Sequence, residues 1–218
     1  MSYTINKNAN GDICLVEFTN ESLGELDDIL KYITCINEGV FEGSNLENIV
    51  IPNNINKIGR RAFKNCKNLK RVVLGNGIKE IPIDCFAKCD SLEKIIIPEG
   101  VNLIWGFAFS DCSKLKSIQL PTTLKEIGSY AFCRCPKLKS ITIPKDTICT
   151  DAFIGNEHYV TIKRIDYENE RLIKQMIGRY RNKVVESGQL IDLEDIASLE
   201  NSLVNEIAET EELLIEKK

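Results

Sequence analysis

The sequence predicts an α/β repeat solenoid in which each coil supplies one strand and one arc, and three observations carry that prediction. Phe63, Phe86, Phe109 and Phe132 fall 23 residues apart, and Cys66, Cys89, Cys112 and Cys135 keep the same period. So do Leu69, Leu92, Leu115 and Leu138, and likewise Pro52, Pro98, Pro121 and Pro144, with Gly75 standing where one proline is missing. The tail of each unit alternates: in LKSIQLP the apolar residues are Ile118 and Leu120, in LKSITIP they are Ile141 and Ile143. That is the period of a half-buried strand, stopped by a proline that has no N–H for the ladder. The middle, as in LKEIGSYAF, spaces its apolar residues three to five apart around a glycine, which suits a short helical or turn-like arc. A unit this small cannot bury its own apolar face and must bury it against its neighbours.

Residues 1–35 carry no repeat. The chain alternates from residue 3 to residue 18 around NANGD, where Asn10-Gly11 is a hairpin signal, and Leu23, Leu26, Ile29, Leu30 and Ile33 mark a helix after Asn20. A hairpin and a helix are therefore expected to cover the first coil. Residues 36–165 hold about six coils. Four units match from Pro52 to Pro144, flanked by shortened copies at INEGVFEGSNLENIVIP and PKDTICTDAFIGNEHYVTI. Beyond Ile165 the period becomes helical: Leu172, Ile173, Met176, Ile177, Tyr180 and Val184 form one stripe, and Ile196, Leu199, Leu203 and Ile207 a second. Residues 166–218 thus read as a helical hairpin that closes the last coil of a monomer or joins two chains in a homodimer. Its GRYRNK segment is a weak phosphate-binding signal, because acids on the same helix and on the second helix oppose it, so no nucleic-acid partner is expected.

The unit P-x-x-[ILV]-x-x-I-G-x-x-A-F-x-x-C-x-x-L-x-x-[IV]-x-[IL] resembles the leucine-rich repeat of the bacterial surface-antigen class, also called BspA-like or treponemal. The resemblance covers residues 36–165 and neither end. It implies a parallel, curved solenoid, and the binding of another macromolecule rather than catalysis.

Composition fits a packed, soluble body: 43% of the 218 residues are apolar, and 28 basic against 32 acidic residues leave a net charge of -4, with no global attraction to nucleic acid or membrane. MSYTINKNANGDICLVEF has neither a basic start nor an apolar h-region, and no apolar run reaches spanning length. With unpaired cysteines this predicts a cytoplasmic protein, a secreted or surface adhesin in the extracellular setting that the resemblance implies being the alternative.

Of nine cysteines, four form the ladder, one per coil. Neighbouring strands lie about 4.7 to 4.9 Å apart, but ladder side chains point inward and parallel rather than at one another, so they read as small buried core residues. Cys85 takes an alanine slot and reads the same way. Cys133, in CRC, is expected outward; with Cys149 it is the thiol that an enzyme or redox switch would use. The one histidine, His158, has no nucleophile or orienting partner in pattern, and no phosphate loop or metal pair occurs, so neither catalysis nor a cofactor is expected.

Recognition of a protein partner remains. With Leu69, Val72 and Leu74 facing the core, Arg71 and Val73 face out, followed by Lys94 and Ile96, Ser117 and Gln119, then Ser140 and Thr142. These two ladders run from basic and apolar to small and hydroxylic, and six strands of such residues could supply a standard interface. An alternative flank gathers Trp105, which replaces the glycine of the unit, with Phe107 and Tyr130, which take its usually polar place before the A-F pair.

Overall fold

The computed structural model describes residues 3–19, 25–156 and 160–165. The helical hairpin expected over 166–218, together with Leu23 and His158, lies outside these described residues. The chain enters as strands β1 (Tyr3–Lys7) and β2 (Ile13–Phe18), helix α1 (Leu26–Tyr32) and strand β3 (Cys35–Ile36). Each coil then lays down a longer strand and one of two residues: β4 (Asn48–Ile51) with β5 (Lys57–Ile58), and β6 (Arg71–Leu74) with β7 (Glu80–Ile81). Next come β8 (Lys94–Ile96) with β9 (Leu103–Ile104), β10 (Ser117–Gln119) with β11 (Glu126–Ile127), and β12 (Ser140–Pro144) with β13 (Ile148–Cys149); β14 (Thr161–Ile165) follows.

All pairings between coils are parallel and keep the repeat in register: Ile49 faces Val72 and Ile95 faces Ile118 on the longer strands, and Ile81, Ile104 and Ile127 align on the short ones. Three parallel sheets result, β4-β6-β8-β10, β7-β9-β11-β13 and the two-stranded β12-β14. The expectation of one strand per coil is therefore corrected to two. The second strand escaped the sequence because a two-residue element is too short to show alternation, and only its isoleucine is buried.

What bends each coil is a pair of left-handed residues four positions apart. Arg61 and Asn65 have φ of 56° and 59°, Asp84 and Lys88 57° and 60°, Phe107 and Asp111 59° and 60°, Tyr130 and Arg134 62° and 53°. In the first coil glycines, Gly39 and Gly43, take these places. The A-F dipeptide sits between the two turns and is driven inward. As a result Phe41, Phe63, Phe86, Phe109, Phe132 and Phe153 stack as one column, with ring centres 5.1 to 5.5 Å apart and planes 3° to 12° from parallel. Phe18 of the hairpin closes the column edge-on against Phe41, at 5.1 Å and 64°.

Beside the column runs a line of hydrogen bonds that explains the cysteines. The thiols of Cys66, Cys89, Cys112 and Cys135 donate to the carbonyls of Phe41, Phe63, Phe86 and Phe109, one coil back, at 3.0, 3.2, 3.1 and 3.1 Å. All four are fully buried, as the sequence led us to expect, and so is Cys85. The terminal coils keep the line with other donors. Asn156, in the cysteine place of the last coil, donates from Nδ2 to the Phe132 carbonyl at 3.0 Å, and Ser44, in that place of the first, shares a hydrogen bond with Cys66 at 3.3 Å.

At the N-terminus, β1 and β2 pair antiparallel around a turn from Asn8 to Asp12, held by the Asn8 side chain on the Asn10 and Asp12 amides at 2.9 Å each. β2 then pairs parallel with β3, and β3 with β5, so the hairpin and the first two short strands form a sheet of their own. Leu26, Ile29 and Leu30 of α1 enter the core, and Asn54 donates to the Leu30 and Ile33 carbonyls at 2.9 and 2.6 Å, fixing the end of the helix.

Burial pushes up the thiols of Cys66, Cys85, Cys89 and Cys112, and that of Cys135 to about 12. The unfolded chain releases these protons near pH 8.5, so above that value it binds fewer protons than the fold, and stability falls as pH rises. Their contribution is complete below about pH 8 and is lost through the window between about 8.5 and about 12. The urea midpoint is expected to hold steady up to about pH 8 and decline above it, each thiol approaching about 1.4 kcal/mol per pH unit. Cys112→Ala removes one such group and should decline less steeply; parallel slopes for the variant and the parent would refute the assignment.

Candidate binding surface

Two of the three flank aromatics meet. Phe107 and Tyr130, equivalent residues on successive coils, stack with ring centres 5.0 Å apart and planes 6° from parallel. Phe107 is 43% exposed and Tyr130 36%, so the pair shows its faces and edges to solvent. Trp105, 41% exposed, stands apart from the stack and donates its indole N–H to the Glu80 carboxylate one coil back, at 2.8 Å. The backbone beneath is close-packed: a Cβ on Gly128 would lie 2.6 Å from the Gly106 nitrogen, so the glycine that Trp105 replaces is required in the next coil.

The stacked pair is held at a conformational cost. At Arg61, Asp84 and Asp151 the equivalent left-handed position carries a charged residue, and only here does it carry aromatics. A bulky L-residue in this region costs on the order of 1 kcal/mol. The sequence marks the aromatics as standing in a polar slot but gives no sign of their backbone. It also leaves out Ile148, 62% exposed on β13, which faces Glu126 in register, with Leu103 on the other side. The available signal was its slot, which holds glutamate at Glu80 and Glu126.

The strand face is less open than the alternation suggested. Arg71, Val73, Lys94 and Ile96 all lie on the outward rows of β6 and β8, but Val73 is only 4% exposed and Ile96 9%. Outward direction did not bring exposure: Val73 is flanked in register by Val50 and Ile96, which shield its sides. Arg71, Lys94 and Ile96 are each engaged in an interaction rather than free. Toward the other end, Ser117 and Ser140 are exposed, and Gln119 and Thr142 half-buried.

Cys133 is not exposed. The CRC segment is a turn and not a strand: Arg134 has φ 53° and projects, Cys135 enters the main core, and Cys133 is buried outside it. The Cys133 sulfur lies 2.9 Å from where a Cβ on Gly155 would stand, so the next coil covers it. Cys149 is half-buried, with the Arg164 guanidinium 3.4 Å from its sulfur. A shallow polar groove of about 500 Å³ crosses the second row of turns, bounded by residues that include Lys67, Lys88, Asp90, Asp111 and Arg134. Arg134 spans it with two bonds to Asp111, at 2.5 and 2.7 Å, which hold the Asp111 carboxyl below the usual carboxylate range. Its charges are mixed in sign and create no single field.

Residues 34–159 match the family model of the BspA type leucine-rich repeat region, in six copies. The chain is similar to a leucine-rich cell surface protein of Faecalibacterium prausnitzii, at 29% identity and a TM-score of 0.56 over 65% of this chain and 39% of that one. It is also similar to a leucine-rich repeat protein of Eubacterium ventriosum, at 34% identity and 0.55 over 58% and 35%. The leucine-rich repeat protein of T. pallidum shares the fold at 22% identity and 0.58, over 80% and 93%. The chain thus spans less than two fifths of the first two proteins. No curated protein matches it. Among the described residues, no helix is long and apolar enough to cross a membrane.

If the stack is kept for its surface rather than for stability, relieving its backbone should help the fold. Phe107→Asn, placing a residue that tolerates the left-handed region, is expected to leave stability unchanged or raise it by up to about 1 kcal/mol, the gain offset by about 0.5 from the lost stack. A urea-denaturation loss larger than about 1 kcal/mol would make the pair a structural cover.

Proposed function

The chain belongs to the BspA-type leucine-rich repeat family, and we propose that it is a non-catalytic scaffold that binds a protein partner through the flank formed by Trp105, Phe107 and Tyr130. One observation carries the choice of face: two exposed aromatic rings stacked on adjacent coils at backbone angles that disfavour them. Large aromatics of this kind supply the centres of interfaces. Ile148 and the half-buried Leu103 extend the apolar area, and Glu80 and Glu126 give it a polar border.

The strand face is the second reading, supported by the open row of Ser117 and Ser140 beside Gln119 and Thr142. Arg71, Val73, Lys94 and Ile96 contribute to it less, given their burial and engagement. The buried thiols suit a reducing, cytoplasmic setting. The cell-surface description of the F. prausnitzii protein supports the extracellular alternative.

The faces are separated by capture of partners from a lysate of the source organism on immobilised full chain, with mass spectrometry of what is retained. The pair Trp105→Ala and Tyr130→Ala is expected to reduce the captured protein at least about tenfold, the loss of two interface anchors at about 1 kcal/mol or more each. Ser117→Arg with Ser140→Arg should leave it unchanged. The opposite pattern, with both variants folded, assigns binding to the strand face.

A further inference from the structure

We propose that Cys14 and Cys35 are a disulfide-forming pair, a reversible covalent clasp between the N-terminal hairpin and the first coil. Cys14 on β2 and Cys35 on β3 are direct partners in a parallel pairing, and Leu15 and Ile36 are the next. Leu15 and Ile36 enter the main core, whereas Cys14 and Cys35 stand outside it, on the outward side of the sheet. As in-register partners they leave their strands on the same face, side by side. Directly paired residues of neighbouring strands have Cα atoms about 4.8 Å apart, within the range that a disulfide spans.

The ladder cysteines differ on this point. They recur once per coil between the strands, and each thiol is turned to a phenylalanine carbonyl one coil back. Cys14 and Cys35 have looser partners: the Cys14 thiol is 3.9 Å from the Asp12 carbonyl and takes the Asn8 amide at 3.8 Å, and the Cys35 thiol is 3.5 Å from the Asn37 side-chain oxygen. Both are 2% exposed, and burial, followed by the Cys14 thiol, holds Cys35 up at about 12. The Cys35 thiol is therefore protonated and at rest. It lies at the end of the molecule where β1 is an edge strand, with Ile5 and Ile13 of the hairpin exposed, so opening of that edge admits a reagent.

Lys57, in register with Cys35 on β5, places an ammonium in the same outward row and favours the Cys35 thiolate once water enters. The co-reactant is a low-molecular-weight disulfide. The Cys35 thiolate attacks one of its sulfurs, forming a mixed disulfide and releasing one small thiolate, which takes up the Cys35 proton. The Cys14 sulfur then attacks the Cys35 sulfur, its proton leaving with the second small thiol. Two protein thiols are oxidised, and one small disulfide is reduced to two thiols.

The full chain is treated with glutathione disulfide, and its intact mass and non-reduced tryptic digest are read. Cutting at Lys31 puts Cys14 and Cys35 on separate peptides with no other cysteine on either. The expected product has lost two hydrogens, carries no glutathione, and yields those two peptides linked. Its thermal midpoint should rise by several degrees, because the bond closes the segment that carries α1, and dithiothreitol should reverse the rise. Cys14→Ser and Cys35→Ser should each show no rise and no linked peptide. A lasting glutathione adduct on either residue, a link between other cysteines, or a folded chain that stays reduced while its urea-unfolded form oxidises overturns the proposal. The digest of the unaltered chain decides the matter even if a variant does not fold.

Discussion

The phenylalanine column is the constraint to which the rest of the structure conforms. A ring in mid-column, such as Phe86, is covered only because the coils on either side place Phe63 and Phe109 against its two faces. The spacing of the terminal coils shows how strictly this is held. Phe41 and Phe63 are 22 residues apart and Phe132 and Phe153 only 21, against 23 elsewhere, yet the ring distances stay at 5.1 and 5.4 Å. The missing residues are taken from the turns and the column does not shift. The hydrogen-bond line beside it behaves likewise, since Asn156 performs at one end what a thiol does in the middle coils, and Ser44 bonds to the Cys66 thiol at the other. That role explains the cysteine ladder better than chemistry does: a small donor that fits a closed interior and satisfies a carbonyl already bent into a turn.

Repetition made the body of this fold legible. Side chains that recur at one period must meet their own copies, so the column, the thiol ladder and the parallel register follow from spacing alone. What spacing leaves out is backbone conformation over two or three residues. The short strands β5, β7, β9, β11 and β13 have no room for a pattern. Outward direction also misleads where the chain is turning: Cys133 stands outside the main core as its expected outward place implies, yet the next coil buries it, and Arg134, at positive φ, projects instead. On the strand face the direction of Val73 and Ile96 is as alternation requires, and their burial is not a property of direction. The flank was legible as composition, three aromatics out of place, while the left-handed geometry that makes Phe107 and Tyr130 costly was not.

That geometry bears on why the flank and not the groove is the candidate surface. Each coil presents two left-handed residues, and nine such positions carry something other than glycine. Most are filled by asparagine, aspartate, lysine or arginine, residues that tolerate the conformation or reach solvent and bond across coils, as Arg134 does with Asp111. Polar pairs of this kind stabilise the turns they sit on, though exposed ones contribute little. Phe107 and Tyr130 bring neither advantage, and the exposed faces of their stack gain nothing from the fold until another surface covers them.

A solenoid also distributes stability unevenly, because each coil is supported only by its neighbours and an end coil has one neighbour instead of two. At the N-terminal end this protein adds a hairpin whose first strand is antiparallel and mostly exposed, and whose second pairs parallel with β3. The contacts that hold it, Phe18 against Phe41 and Leu15 within the core, are fewer than those within the column. It is therefore less firmly held than a coil in mid-column, and it is where two cysteines are paired in register on adjacent strands. In mid-column a thiol pair in the same register would be locked between coils and serve packing alone. At the loose end the same spacing places a bond where the fold has least to hold it, so position along the solenoid, and not the chemistry of cysteine, separates the two uses of one residue.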